Sequence, residues 1–129
     1  ISSSADKSRF VQSCLEHFLC LPKPPTAVFC SNDDLATVMI HLCWHKGLRI
    51  PDDLSVCGFD GSVANALESL ELTTIRQPYE KFFATAFSLM LEQTPKTYPQ
   101  ILLQPTLIPG KTVKNLSGFD QLATNIDEG

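Results

Sequence analysis

The chain contains 129 residues, of which 43% are hydrophobic and 19% charged, and this balance excludes an intrinsically disordered polyelectrolyte. Its formal net charge of −4 gives it no bulk electrostatic reason to bind DNA, RNA or an anionic membrane by itself. No apolar run approaches the roughly 18 residues of a membrane span, and the sequence does not open with a secretion signal. The five cysteines, an odd number scattered through apolar stretches, favour reduced thiols in a cytoplasmic protein.

Hydrophobic patterning predicts helices and strands that alternate along the chain. The predicted helices are residues 5–20, 34–46, 62–68 and 79–92. The predicted strands are residues 26–30, 54–59, 72–75, 101–103 and 106–108. The first strand has apolar residues on both faces, so we expect both of its faces to be buried. This order is typical of an α/β fold with a mainly parallel sheet flanked by helices.

The helix ends and the domain limits follow from local signals. Asp33 or Asp34 is predicted to cap the second helix, and Gly47 suits the position just after its end. Residues 1–110 are interpreted as one domain. Residues 111–129 have no strong periodic pattern, and they are predicted to form a C-terminal tail.

Polar side chains follow two strands that are predicted to be parallel neighbours. Asn32 comes directly after the first strand, and Asp60 ends the second. Ligands of open α/β sheets bind beyond the carboxyl ends of the strands, so both side chains could enter one crevice. An amide and a carboxylate suit a polyhydroxylated or amine-bearing small molecule, and Tyr79 could add an aromatic wall. The residues alone leave a turn role for Asn32, and for Asp60 before Gly61, about equally open.

Catalytic and metal chemistry have little support in the sequence. Cys14, His17 and Cys20 have a suggestive spacing, but Cys14 lies on the apolar stripe of its helix. His41 and His45 share a helix face without a third ligand between them. No cysteine–histidine pair and no glycine-rich phosphate loop can be argued from the spacing, so we predict no catalytic residue, no metal and no cofactor.

Three blocks of sequence carry a resemblance to a known family. They are residues 25–36 (PTAVFCSNDDLA), 47–60 (GLRIPDDLSVCGFD) and 72–78 (LTTIRQP). In this order and spacing they resemble the C-terminal part of the effector-binding core of the LacI/GalR transcriptional regulators, over roughly residues 5–110. The resemblance implies a partial periplasmic-binding-protein-like (type I) fold. It also implies a small-molecule effector that is commonly a sugar, a homodimer, and DNA contact only through an N-terminal headpiece absent from this chain.

The resemblance also implies roles for individual residues. Asn32 matches an effector-contacting amide and Asp60 a carboxylate that binds effector hydroxyls, while Gln77 and Tyr79 fall where the family lines its cleft. Gly61 stands where many members carry a second acid or amide. The helix over residues 79–92 would cross to another lobe, so its phenylalanine stripe would face water in this chain, unless it folds back, exchanges with another copy or meets a partner.

Two other functions use similar patterns. A transport-type periplasmic sugar-binding protein shares the fold, but the free cysteines and the missing secretion signal count against it. A receiver-like phosphoacceptor domain also places acids at strand ends. Here Asp33–Asp34 and Asp60 are too close in sequence to leave room for an intervening strand, and no lysine ends a later strand.

Overall fold

A computed structural model describes residues 4–61, 71–91 and 100–116. Its elements in chain order are α1 (Ser4–Leu19), β1 (Ala27–Phe29), α2 (Asp33–His45), β2 (Ser55–Asp60), β3 (Thr73–Arg76), α3 (Tyr79–Leu91) and β4 (Thr106–Ile108). The strands form one sheet in the order β1-β2-β3-β4, in which the first three are parallel and β4 is antiparallel to β3. The predicted α/β class with a mainly parallel sheet is confirmed. The helix predicted over residues 62–68 lies outside the described residues.

The core lies where α1 and α2 pack together and α2 packs on β2. Its buried apolar members are Val11, Leu15, Cys30, Ala36, Met39, Ile40, Cys43, Leu54, Val56 and Leu72. Two exposed ion pairs also join α1 to α2, Lys7 with Asp34 at 3.1 Å and Lys46 with Glu16 at 3.3 Å. Exposed pairs each contribute about 0–1 kcal/mol, so burial of the apolar side chains dominates the helix packing.

Gly47 ends α2 as the sequence predicts. Its φ is +78°, a left-handed conformation that favours glycine, and its N–H donates to the carbonyl of Trp44 at 3.0 Å. The chain then turns back toward β2. None of the described helices combines the length and hydrophobicity that a membrane crossing requires.

Two strand predictions are wrong. We predicted that both faces of β1 are buried. However, β1 is the first strand in the sheet order, and its Phe29 side chain is 59% exposed. The Phe29 ring meets Phe59 edge-on, with 6.2 Å between ring centroids. Residues 101–103 form no strand, and the ladder with β3 begins only at Thr106. Pro105 has no N–H to donate, which explains why pairing starts after it.

The first residues of the predicted tail contact the sheet. The Thr112 hydroxyl is buried, donates to the carbonyl of Val56 at 2.6 Å and accepts from the N–H of Thr73 at 3.0 Å. The N–H of Lys114 donates to the Ser55 hydroxyl at 3.0 Å. These bonds tie residues 111–116 to β2 and β3. The remaining tail residues lie outside the described residues, and the boundary at residue 110 stays a prediction.

Helix α3 buries none of its residues. Phe82 and Phe83 are 55% and 64% exposed, and Phe87 is exposed to a similar degree. Complete burial of a phenylalanine side chain contributes roughly 1.5–3 kcal/mol, and each of these rings forgoes about half of that. The expectation that this phenylalanine stripe faces water in the present chain therefore describes α3 correctly.

Candidate functional site

The parallel strands bring their carboxyl ends to one edge of the sheet. Phe29 of β1 lies beside Cys57 of β2, and Asp60 of β2 lies beside Arg76 of β3. Asn32 lies three residues after Phe29, and Asp60 lies three residues after Cys57, the partner of Phe29. Strands β1 and β2 are therefore parallel neighbours, as predicted.

At this edge, hydrogen bonds join two of the four predicted site residues, Asp60 and Gln77, and Tyr79 lines the same cleft as Gln77. The Gln77 side-chain N–H donates to Oδ1 of Asp60 at 2.7 Å, and the backbone N–H of Gln77 reaches the Asp60 carbonyl at 3.4 Å. Partial burial and the Asp60 carboxylate raise the pKa of Tyr79, so its hydroxyl keeps its proton and remains a donor at neutral pH.

The backbone after β2 adopts left-handed conformations at both Asp60 and Gly61. Asp60 has φ +102°, which is uncommon for a residue with a side chain and re-aims its carboxylate. Gly61 has φ +60°, and a Cβ there would lie 2.6 Å from Cα of Arg76. The second acid or amide that many family members carry at this position therefore has no room here, and Asp60 is the carboxylate that this turn offers.

Asn32 has a structural role at the start of α2, and its predicted role in binding a ligand stays a prediction. It is the N-cap of α2, with extended φ and ψ, and its Oδ1 accepts from the N–H of Leu35 at 2.9 Å. The prediction that Asp33 or Asp34 caps this helix is wrong. The cap uses the carbonyl oxygen of the Asn32 side chain, so the amide NH₂ is the group with which Asn32 could contact a ligand.

Asp33 serves the fold instead. Its side chain is 1% exposed, and Oδ1 accepts a hydrogen bond from the Thr74 hydroxyl of β3 at 2.5 Å. Gly58 of β2 lies between the two, and a Cβ there would collide with the Asp33 carboxylate and come within 3.1 Å of Leu72. A glycine in β2 thus lets the start of α2 bind directly to β3.

Beside the Asp60–Gln77 hydrogen bond lies a cleft of about 300 Å³. Its lining residues come from the end of β2, the segment between β3 and α3, the first turns of α3 and the segment before β4: Phe59, Gln77, Pro78, Tyr79, Phe82, Phe83, Leu103 and Pro105. Of these, only Gln77 and Tyr79 were predicted from the sequence as site residues. Tyr79, Phe82 and Phe83 recur at helical spacing, a signal that could have predicted a shared aromatic face.

Three of the five thiols are shielded from solvent in the described part of the chain. Burial raises the pKa of Cys30 to about 11, and burial also raises the pKa values of Cys43 and Cys57, so these thiols stay protonated at neutral pH. Within residues 4–61, 71–91 and 100–116, no group of three or more His, Cys, Asp or Glu side chains is placed to hold a metal ion.

Comparison with known proteins places the chain in a family. The periplasmic binding protein-like domain matches residues 2–113. The chain belongs to this family. A LacI transcriptional regulator from a Rhodococcus species superposes with a TM-score of 0.72 at 29% identity, over 82% of this chain and 40% of that one. The lac repressor dimer bound to operator and the anti-inducer ONPF superposes with a TM-score of 0.69 at 26% identity, over 86% and 38%.

Curated relatives of the chain include proteins named as transcriptional repressors. The probable HTH-type transcriptional repressor ExuR of Bacillus subtilis is 40% identical over 94 residues, which cover 71% of this chain and 28% of the relative. The chain thus spans less than a third of that relative's length. Together these matches identify the chain as a fragment of a LacI/GalR-type effector-binding domain, and the relatives named are regulators, not enzymes.

Proposed function

We propose that this chain is the effector-binding and dimerisation segment of a LacI-type DNA-binding regulator, and that its effector is a sugar or sugar derivative. The observation that carries the proposal is the Asp60–Gln77 hydrogen bond at the carboxyl edge of the sheet, next to a cleft of about 300 Å³ that Gln77 and Tyr79 line. This is where open α/β sheets bind ligands. The relative ExuR is named as a repressor of the helix-turn-helix type, which supports a regulator over a transport protein.

Each of the four predicted site residues would make a different contact with the effector. The Asp60 carboxylate accepts from effector hydroxyls, and the side-chain carbonyl of Gln77 offers a second acceptor. The Asn32 amide NH₂ contributes a donor from the neighbouring strand end. The Tyr79 ring covers the apolar face of the effector. Gln77 already holds the Asp60 carboxylate through a hydrogen bond, so less ordering is needed on binding.

In such a regulator, the effector would act by changing the balance between conformations. A ligand that binds one arrangement of the lobes more tightly shifts the protein toward it. In a homodimer, that shift changes the spacing of two N-terminal DNA-binding headpieces. DNA contact would come from those headpieces alone, which agrees with the net charge of −4 of this segment. A cytoplasmic location is part of the same proposal.

Dimerisation is proposed through the exposed side of α2, because β2 lies inside the sheet and its residues are buried or half-buried. Trp44 on α2 is 50% exposed and lies against His41, with 5.6 Å between ring centroids. A half-exposed tryptophan is the type of residue that anchors protein interfaces. Sedimentation velocity should show the wild-type chain dimerising, and Trp44→Glu should shift it to monomer. The control Leu102→Glu, at an exposed site before β4, should leave the dimer intact. If both variants associate equally, the proposal that α2 forms the interface is wrong.

The binding proposal is tested by calorimetry and thermal stabilisation with a panel of sugars. A ligand at 100 times its Kd should stabilise the fold by about 2.7 kcal/mol. Asp60→Asn should weaken binding at least about tenfold, because hydrogen bonds to a charged acceptor contribute about 1.5–3 kcal/mol. The matched control is Asp52→Asn, which removes an exposed carboxylate that pairs with Lys114 at 3.5 Å just before β2. Equal affinities for wild type, Asp60→Asn and Asp52→Asn would contradict the proposed site.

A further inference from the structure

Two histidines lie on the exposed side of α2. His41 and His45 are both exposed and stand four residues apart, so their side chains emerge from the same face of the helix, about one turn apart. Imidazole pairs at this spacing bind transition-metal ions such as Zn²⁺. The pair lies at the carboxyl end of α2, where the negative end of the helix dipole favours a cation. This face of α2 therefore presents half of a metal site.

One chain by itself leaves such a site incomplete. A structural Zn²⁺ takes four ligands in a tetrahedral arrangement. In the described ranges 4–61, 71–91 and 100–116, no third His, Cys, Asp or Glu side chain joins His41 and His45 to form a metal-binding group. Two further protein ligands therefore have to come from another molecule.

A second copy of the chain supplies the same histidine pair if α2 meets α2. In a two-fold symmetric interface, the same patch of each chain faces its own copy. Trp44, which is proposed to anchor the dimer, lies on this side of α2, and its ring centroid is 5.6 Å from that of His41. An interface centred on Trp44 therefore brings His41 and His45 of one copy toward the same residues of the other. Four imidazoles then meet near the two-fold axis.

The charges at the two ends of α2 do not oppose a bound cation. Lys46 follows α2 directly and pairs with Glu16 at 3.3 Å, while Asp34 in the first turn of α2 pairs with Lys7 at 3.1 Å. Each lysine charge is thus offset by a carboxylate, and the net charge of −4 per chain favours cations over anions. Imidazole nitrogen suits zinc, nickel and copper ions, whereas Mg²⁺ prefers oxygen ligands. The site therefore fits a divalent transition metal.

We propose that His41 and His45 of two chains together bind one divalent transition-metal ion, such as Zn²⁺, between the paired α2 helices, and that the ion strengthens the dimer. This inference rests on the dimerisation through α2 proposed above and adds a ligand that regulates it. The metal site is separate from the effector site, because neither histidine lines the cleft beside Asp60.

Sedimentation velocity of the 129-residue chain in Zn²⁺ and in EDTA measures this effect. A metal that binds the dimer and not the monomer raises the association constant about tenfold when its free concentration is about ten times its Kd. The ratio of the association constants in zinc and in EDTA should therefore reach about ten, and Mg²⁺ in place of zinc should leave it near one. Calorimetry should show one Zn²⁺ bound by two chains.

Histidine variants locate the ion. His41→Gln and His45→Gln each remove two of the four ligands from a dimer, and each should reduce the zinc-to-EDTA ratio to less than about twofold. The ratio is compared within each variant, so a change in metal-free association does not affect it. The control is His17→Gln, which removes an exposed histidine of α1 and should keep the full ratio. Circular dichroism should show all three variants folded alike.

The fluorescence of Trp44, the only tryptophan in the sequence, gives a second measurement. A Ni²⁺ ion bound at His41 should quench this fluorescence, because the two rings are in contact. The quenching should persist in His17→Gln and disappear in His41→Gln. Fluorescence that Ni²⁺ leaves unchanged in the wild-type chain overturns the placement of the ion beside Trp44.

The remaining outcomes separate the metal site from the dimer. Equal association constants in zinc and in EDTA, for a chain that dimerises, overturn the metal inference and leave the proposed dimer standing. A zinc effect that persists in His41→Gln and His45→Gln, as it would if the exposed Cys20 thiol bound the ion, also overturns it, and so does one ion bound by each single chain. A folded chain that stays monomeric in zinc and in EDTA contradicts the proposed dimerisation, and the inference falls with it.

Discussion

Thr74→Val tests the bond that joins α2 to β3. In the structure the Thr74 hydroxyl donates to the buried Asp33 carboxylate at 2.5 Å, across Gly58 of the intervening strand. Valine has nearly the shape of threonine, so the change removes the hydroxyl without opening a cavity. A hydrogen bond to a charged group contributes about 1.5–3 kcal/mol, and we expect the free energy of unfolding to fall by that amount.

Urea unfolding followed by circular dichroism measures this loss. The midpoint should fall with an unchanged slope, because the unfolded state is unaffected. At about 4 °C per kcal/mol for a domain of this size, the melting temperature should fall by about 6–12 °C. Thr106→Val, an identical substitution at an exposed position of β4, is the matched control and should change stability by less than about 0.5 kcal/mol.

A double-mutant cycle decides whether the loss comes from this bond. In an Asp33→Ala background the partner is absent, so Thr74→Val should cost less than about 0.5 kcal/mol. The same cost in both backgrounds, or a Thr74→Val protein as stable as Thr106→Val, would refute the assignment. The bond matters for the site because it fixes the start of α2, which Asn32 caps, relative to the strand that leads to Gln77.

Three further outcomes are expected. Asn32→Ala should lower the free energy of unfolding by about 1 kcal/mol through loss of the α2 cap, whereas Asn32→Ser should keep most of that stability, as measured by urea unfolding. Equal stability of both variants would argue against the cap. Burial raises the pKa of Cys30 from 9.0 to about 11. The free energy of unfolding should therefore be unaffected below pH 9 and should fall between pH 9 and 11, because the unfolded chain releases a proton there that the folded chain retains. An alkaline unfolding series in which Cys30→Ala shows the same decline would contradict this. An apolar-surface dye should bind the wild-type chain, and Phe83→Glu with Phe87→Glu should reduce that binding; undiminished dye fluorescence would place the exposed apolar surface elsewhere.

Helices and strands were predictable where burial leaves a periodic signal. The stripe of Val11 and Leu15 in α1, and the apolar run that contains Val56, gave the correct elements because those side chains form the core. Prediction failed at β1, because an apolar run carries no information on whether the sheet continues past it or which face is covered. Phe29 shows this, since it is apolar yet largely exposed.

The cap of α2 shows a second limit. Asn32, Asp33 and Asp34 are all good N-cap residues, so local propensity cannot choose among them. The choice depends on Thr74, which is 41 residues away from Asp33 and donates a hydrogen bond to the buried Asp33 carboxylate. Lys7 of α1 pairs with Asp34 at 3.1 Å, and Asn32 remains for the cap. Contacts that are distant in sequence thus decide what each polar residue does.

The orientation of the Asp60 side chain could not be predicted from the sequence, although the proposed function depends on it. The Asp60–Gly61 pair indicates a turn, but only the structure shows that Asp60 itself is left-handed and that it accepts hydrogen bonds from Gln77. Helix α3 buries none of its own residues, so its position relative to the sheet depends on the segment that contains these contacts. On the proposed function, a ligand that binds the Asp60 carboxylate would compete with or reinforce those bonds. It would therefore change the restraint on α3, and effector binding would have a physical route to the orientation of that helix.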